Sequence, residues 1–346
     1  MNRIFSPLLV SGMILILWLS TPLVYAQVAN GYTIASWYQF KKAAVSYTFD
    51  DNTAKQLSVA LPLFDAYHFK VTFYPVINWS PDWSGLKAAS ASGHEVGSHT
   101  VSHSNLDSLG LSGQEYELQA SQSIINRKIP DAQCLSIAYP FCSQGNLALI
   151  RKYYIAGRVC SGVIESSTPA NFYQISSIIA GSLGAVKTAF DFNNKVNQAK
   201  VSGGWCVFLI HGIDNDGGFS PLSSGELAAH LAYMSKNSKD FWVATFADVV
   251  KYIRERNAGR LSEIKRNSHS LELAEKDSLD HSIYNLPLTV RRVLPEGWKG
   301  VIITCGGKTL SSALVNENGK QYVQFDLAPG QDVILSPSKE GIKSQP

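Results

Sequence analysis

Between residues 43 and 257 the chain alternates short apolar runs of strand length with stretches of helical pattern, and the alternation stops near Gly259. Runs at 43–49, 71–76, 94–98, 135–139, 205–210 and 241–244 are each followed by a helix-like segment, at 54–67, 83–92, 112–127, 147–153, 224–234 and 247–257. Ser112 with Glu115 three positions on reads as a capping box that opens the third of these helices. A chain built this way buries its strands between helices, so the expectation is a parallel-stranded α/β barrel or open sheet. Past Gly259 the pattern changes. Residues 261–280 are polar and charged without a strong apolar period and read as a linker. Short strand signals then follow at 288–293, 301–305, 312–315, 322–327 and 333–335, with Gly306-Gly307 and Asn318-Gly319 as hairpin turns. Residues 281–338 are therefore expected to form a small C-terminal all-β domain, sandwich-like and without catalytic residues.

The first 26 residues read differently from the rest. Arg3 precedes an apolar run at 8–19, and Val24-Tyr25-Ala26 places small residues where a signal peptidase cuts. The run is shorter than the ~20 apolar residues that span a bilayer. The expectation is a signal peptide over 1–26, a first domain over 27–260, no stable membrane anchor after cleavage, and a periplasmic or secreted product. Thirty Lys and Arg against 27 Asp and Glu leave a net charge of +3, far from the basic balance of a nucleic-acid binder. An exported chain can also pair its cysteines. Cys142 follows the strand at 135–139 and Cys160 ends the next strand-like run, 154–159. If those strands are parallel neighbours, both lie at one rim within disulfide reach. Cys134 and Cys206 read as core thiols, and Cys305 as a thiol without a partner.

Four groups of chemistry-bearing residues sit at strand ends. Thr48-Phe49-Asp50-Asp51 places two adjacent acids at the C-terminal end of an apolar strand, where parallel α/β proteins bind ligands. One acid would serve as a helix cap, but two repel and call for a cation or a solvated site. Ser98-His99-Thr100-Val101-Ser102-His103 spaces two histidines four apart, so that one helical turn would bring both imidazoles to the same side. Two His and a carboxylate are a common divalent-metal set with positions left for water and substrate. Phe208-Leu209-Ile210-His211 ends a buried strand in a third histidine. Ala138-Tyr139-Pro140-Phe141 ends another, with Pro140 bending the chain so that the Phe141 N–H can point at a ligand.

In this order and spacing the four groups resemble the motifs of the NodB-like polysaccharide deacetylases, carbohydrate esterase family 4, over residues 40–255. The resemblance implies an α/β fold, a distorted (β/α) barrel with fewer than eight full strands. It implies Asp51, His99 and His103 as ligands of a divalent metal, Zn²⁺ first, with Co²⁺, Ni²⁺ or Mn²⁺ as other fits. Asp50 would be the catalytic base and His211 the acid, Tyr139 and Phe141 would lie at the substrate and oxyanion, and Leu209 would line the pocket for the acetyl methyl. Two departures stand out. The family's Arg two positions before the motif Pro is here Ala138, and its fourth motif, an Asp often followed by Trp, has no counterpart between Cys160 and Gly204. Arg158 and Asp191 are the candidates to stand in.

The reaction implied is hydrolytic removal of acetyl groups, N- or O-linked, from an acetylated poly- or oligosaccharide. The cation would supply Lewis-acid activation. Asp50 would take the proton of the attacking water, the Phe141 N–H would receive the oxyanion, and His211 would protonate the departing atom. A glycosidase using Asp50 and Asp51 as its two carboxylates needs them at least ~5 Å apart across the scissile bond and gives the histidines no task. The alternative from another class is a catalytically inactive carbohydrate-binding protein on a deacetylase scaffold.

Overall fold

The structure is a computed structural model that describes residues 31–267 and 269–338; the leader expected at residues 1–26 lies outside them. After β1 (Tyr32–Ile34), the chain runs β2 (Ala43–Asp50), α1 (Leu61–Asp65), β3 (Thr72–Tyr74), α2 (Trp83–Ala91), β4 (Glu95–Val96), α3 (Leu111–Lys128), β5 (Ser136–Ala138), α4 (Leu147–Tyr153), β6 (Ala156–Arg158), β7 (Ile178–Ile179), α5 (Ala189–Ser202), β8 (Trp205–Ile210), α6 (Ser224–Lys236), β9 (Phe241–Val243) and α7 (Phe246–Ala258). Among the described residues no helix is long and apolar enough to cross a membrane.

Parallel pairing runs β4-β3-β2-β8-β7, with β9 beside the first half of β2. β5 and β6 pair with each other, and single bridges join them to the rest. Ser98 N–H donates to the Ser136 carbonyl and Ala138 N–H to the Ser98 carbonyl, each at 2.9 Å, which links the end of β4 to β5. Val159 N–H donates to the Ile175 carbonyl at 2.8 Å, which links β6 to the run leading into β7. The ring closes, irregularly, into a distorted α/β barrel.

Strand alternation assigns the two faces of this ring. Val45, Tyr47 and Phe49 of β2 and Phe208 and Ile210 of β8 point outward into a core with Phe64, Leu118, Ile150, Phe192 and Leu231 of the helices. Ser46, Thr48 and Asp50 point into the lumen, as do Trp205, Val207 and Leu209. The polar groups there are satisfied within the barrel: Trp205 Nε1 donates to Ser46 Oγ at 3.0 Å and Thr48 Oγ1 to the Phe208 carbonyl at 2.7 Å. Phe246 and Val249 of α7 pack with Ala44, Trp205 and Val207, closing the end of the barrel opposite the strand C-termini.

Residues 260–338 add β10 (Arg260–Asn267), β11 (Ser270–Lys276), β12 (Leu288–Val293), β13 (Val301–Cys305), β14 (Lys308–Leu310), β15 (Ser312–Glu317), β16 (Lys320–Leu327) and β17 (Asp332–Pro337). They form two antiparallel sheets, β1-β12-β16-β15 and β10-β11-β17-β13-β14, around a core that includes Leu273, Val290, Ile303, Phe325 and Leu335. Residues 261–280 are thus no linker. They hold the hairpin β10–β11, with Leu261, Leu271 and Leu273 buried. The apolar period is hidden because β10 is an edge strand whose exposed positions include Arg260, Ser262, Lys265 and Arg266, the usual protection of an exposed edge. β1 also departs from the expected boundary, since it pairs with β12 and belongs to the sandwich. The capping box is not formed either. α3 begins at Leu111 after Gly110, so Ser112 and Glu115 lie inside the helix, and Glu115 accepts instead from Lys152 at 2.6 Å and the Tyr153 hydroxyl at 2.7 Å.

Candidate metal centre

The barrel's mouth is built from the ends of β2, β4, β5, β6 and β8. Asp50 closes β2 and is buried. Asp51 and Asn52 then take φ of 74° and 46°, a conformation costing on the order of 1 kcal/mol for a residue with a Cβ. The Asn52 side chain fixes this turn, accepting from Val76 N–H at 3.0 Å and donating to the Trp79 carbonyl at 3.1 Å. The result places the Asp51 carboxylate beside the ends of the neighbouring strands. Gln56 ties two of them from below, its Nε2 donating to the carbonyls of both Asp50 and His211.

His99 Nδ1 lies 2.8 Å from the Ala138 carbonyl. A carbonyl only accepts, so Nδ1 carries the proton and Nε2 presents its lone pair. That lone pair faces Asp51 Oδ1 at 3.5 Å and Asp50 Oδ2 at 3.7 Å. His103 Nε2 reaches the same Asp51 oxygen at 3.5 Å. One donor atom from each of Asp51, His99 and His103 lies within 4.8 Å of the others. Asp51 Oδ1 is buried and accepts no hydrogen bond. Ligand-type atoms thus converge with no hydrogen bond to Asp51 Oδ1, which is the arrangement a cation would fill. The electrostatics agree. Burial, and then the Asp50 charge, push the Asp51 carboxyl up to about 7. Burial likewise lowers His99 to about 4 and holds His103 and His211 below the usual imidazole range.

Asp50 differs from its neighbour. Burial alone would raise its carboxyl, but the Arg158 guanidinium and the imidazoles of His99 and His211 outweigh this and hold it below the usual range. Arg158 Nη2 donates to Asp50 Oδ2, while Nη1 donates to Ser177 Oγ at 2.9 Å. His211 Nε2 stands 3.9 Å from Asp51 Oδ2, and its Nδ1 is buried without a partner.

Residues 38–153 match the family model described as polysaccharide deacetylase. Over those residues the α/β domain is similar to the polysaccharide deacetylase family. A solved Mycobacterium smegmatis protein described as a polysaccharide deacetylase superposes on this chain with a TM-score of 0.51 at 14% identity, covering 68% of this chain and 98% of its own; this likeness is one of fold. The peptidoglycan deacetylase PdaC of Bacillus subtilis matches with a TM-score of 0.44 at 18% identity, over 62% of this chain and 93% of its own. A gellan lyase of a Bacillus species is 27% identical over 323 residues, 87% of this chain but 13% of that protein's length. The chain therefore spans a small part of that relative.

Within the α/β domain several expectations meet a different geometry. His99 and His103 are not brought together by a helical turn. Residues 99–103 form a loop with Thr100 and His103 at φ of 68° and 60°, and the Glu117 carboxylate of α3 holds it. That carboxylate accepts from the N–H groups of Val101 and Ser102 at 2.8 and 2.9 Å and from the Ser102 hydroxyl at 2.6 Å. Tyr139 faces away from the site, because with Ile137 it lies on the outward side of β5; its hydroxyl donates to the Tyr173 carbonyl at 3.0 Å. Phe141 is beside the site, its ring meeting His103 edge-on at 4.9 Å. Leu209 faces the lumen, buried, paired with Thr48 one step below the mouth.

Of the two stand-ins, Asp191 is a helix cap at α5, engaged with Thr188 and Lys187. Arg158 is the one that reaches the site. Ala138 and Arg158 are directly paired across β5 and β6, so the guanidinium arises beside the position where the family motif carries its Arg. The sequence reading passed over Glu117 and Gln56; each is one polar residue in a helical pattern, with no local signal of its partner. Cys142 and Cys160 form the expected disulfide, Cα atoms 5.7 Å apart, next to Phe141 and Arg158.

Proposed function

We propose that this protein is a metal-dependent hydrolase that removes acetyl groups from an acetylated carbohydrate. The observation that carries the reading is the convergence of Asp51 Oδ1 and the imidazoles of His99 and His103 within 4.8 Å, beside a second carboxylate and a third histidine that take no part in the cluster. Asp51, His99 and His103 would hold the metal, with Zn²⁺ favoured by the two imidazoles and one carboxylate. When bound, the cation supplies Lewis-acid polarisation of the acetyl carbonyl and a water of lowered pKa. Asp50, kept ionised by Arg158, would take the proton of the attacking water at its carboxylate. His211, through Nε2, returns a proton to the departing sugar nitrogen or oxygen. The Phe141 N–H, in a left-handed turn beside the site, would donate to the developing oxyanion, and Leu209 would line the lumen below the acetyl methyl. Export after cleavage at Ala26 is part of the reading, supported by the disulfide, which persists in oxidising compartments.

The test is acetate release from N-acetylated chito-oligosaccharides, peptidoglycan and acetylxylan, measured with Zn²⁺ and after chelation. The expected result is metal-dependent release from at least one substrate, abolished in His99→Ala together with metal retention. Asp50→Asn should keep the metal and lose ~10²–10⁴-fold in rate. Full activity of the metal-free protein overturns the reading, as does equal metal loss in Asp50→Asn and Asp51→Asn.

A further inference from the structure

A polar column runs down the barrel lumen beneath the mouth, and the chemistry above uses only its top. Asp50 and Tyr74 are directly paired across β2 and β3, so both side chains point inward. The Tyr74 ring lies against β4 at Gly97, where a Cβ would stand 2.3 Å from its Cε1; only a glycine leaves room for the ring. It thereby reaches past β4 to β5, and its hydroxyl lies 2.9 Å from Ser136 Oγ. Ser136 gives its own proton to Glu95 Oε1, so Tyr74 is the donor to Ser136. Glu95 Oε2 accepts from Thr72 Oγ1 and from Ala247 N–H, each at 2.8 Å. Tyr74, Ser136 and Thr72 are wholly buried. Each proton in the column thus points one way, from the phenol to a carboxylate anchored on the start of α7.

A face of this ring carries Arg158. The guanidinium carbon stands 5.5 Å from the ring centre, inside the ~6 Å over which a cation is drawn to the negative face of an aromatic ring. The other holds on Arg158 are few. Nη2 donates to Asp50 and Nη1 to Ser177, while Nε is buried and donates to nothing. A long side chain has several rotamers to lose, and the ring is the surface that confines this one. Phe246 of α7 meets the same ring edge-on at 6.3 Å and keeps it from tilting away. The level of the ring therefore sets the level of the guanidinium, and through it that of the Asp50 carboxylate. A misplacement of about 1 Å in a reacting group can cost ~10²-fold in rate.

Resting on the deacetylase reading, we infer that Tyr74 is a positioning residue for the reaction: its ring, seated on Gly97 and tied through Ser136 to Glu95, is the bed on which Arg158 lies while it holds Asp50 toward the attacking water. The test is a double-variant cycle between positions 74 and 158 in the zinc-loaded protein. Tyr74→Leu should lower kcat about tenfold and leave KM and zinc content unchanged. In the Arg158→Met background the same replacement should cost nothing further, because the group it positions is gone. Tyr74→Phe keeps the ring face and should retain kcat within about threefold. Phenylalanine of increasing fluorination at position 74 keeps the shape and drains the negative face, which carries the test even where Tyr74→Leu does not fold. There kcat should fall step by step with Arg158 present and stay level in the Arg158→Met background. Equal losses from Tyr74→Leu in both backgrounds overturn the proposal, as does a kcat indifferent to fluorination. A readout without turnover is the Arg158 Nε–H proton resonance of the metal-free protein. The ring should shift it upfield in the wild type and in Tyr74→Phe, and an unshifted wild-type resonance overturns the proposal by itself. Absence of acetate release from every substrate would instead overturn the deacetylase reading, with that resonance still deciding whether Arg158 lies on the ring.

Discussion

Arg158 and Asp50 stand 108 residues apart in the chain and meet as a buried ion pair. Their pairing is set by β6 lying against β5, which brings Arg158 opposite Ala138. Removing one partner of a buried pair leaves the other charge without compensation, at about 3–5 kcal/mol. Arg158→Met should therefore lower the midpoint of thermal unfolding and also reduce turnover, with the metal content unchanged because Arg158 touches no proposed ligand. Moving the charge back across the pair, Ala138→Arg with Arg158→Ala, should recover much of both losses. Melting curves, acetate release and metal analysis on the wild type, Arg158→Met, Arg158→Ala and the double variant check this; a double variant no better than Arg158→Ala refutes the idea that the two positions are equivalent.

At the scale of elements, the histidine loop is the least self-sufficient part of the mouth. Residues 99–103 carry two left-handed residues and no helical turn, and the loop's N–H groups are met by Glu117 from the next helix. A residue that orients ligands without binding the metal affects affinity by about 10–100-fold when removed. Glu117→Ala is expected to weaken Zn²⁺ binding by that order, measured by competition with a chromophoric chelator, while circular dichroism stays that of the wild type. Equal zinc affinity in the two proteins would show that the loop holds itself. The opposite rim is tied differently, by the Cys142–Cys160 disulfide, which joins the strand ends carrying Phe141 and Arg158.

For the whole molecule, the seam between barrel and sandwich carries a pH dependence of its own, away from the metal centre. Tyr252 of α7 lies in the sandwich core, and its hydroxyl donates to the Ala35 carbonyl at 3.1 Å. Glu255, one turn on, is buried; Oε1 accepts from Leu286 N–H at 2.9 Å and Oε2 has no partner. Burial pushes its carboxyl up to about 8 from an ordinary value of 4.5. The folded state thus keeps a proton that the unfolded chain gives up, so this contribution to stability is full below about pH 4.5 and is lost as pH rises through about 8. The slope approaches ~1.4 kcal/mol per pH unit inside that window. Urea unfolding between about pH 5 and about pH 8 should show the fall, and Glu255→Gln should flatten it and be the more stable protein at the alkaline end. Parallel pH profiles for the two would disprove the assignment.

Period-two and helical patterns in the sequence alone established the alternating elements, the change of architecture after Gly259 and the strand ends that bear Asp50, Asp51, His99, His103 and His211. Those features are local: a strand's apolar run and the residue that closes it are neighbours in the chain. The tertiary structure alone decided that Arg158 rather than Asp191 reaches Asp50, that Tyr139 turns outward, that Glu117 holds the histidine loop, and that β1 and the charged hairpin at 260–276 belong to the sandwich. Each of these depends on which strands and loops become neighbours across tens to hundreds of residues. A side chain's own surroundings in sequence carry no record of that, because the contact exists only after the barrel has closed.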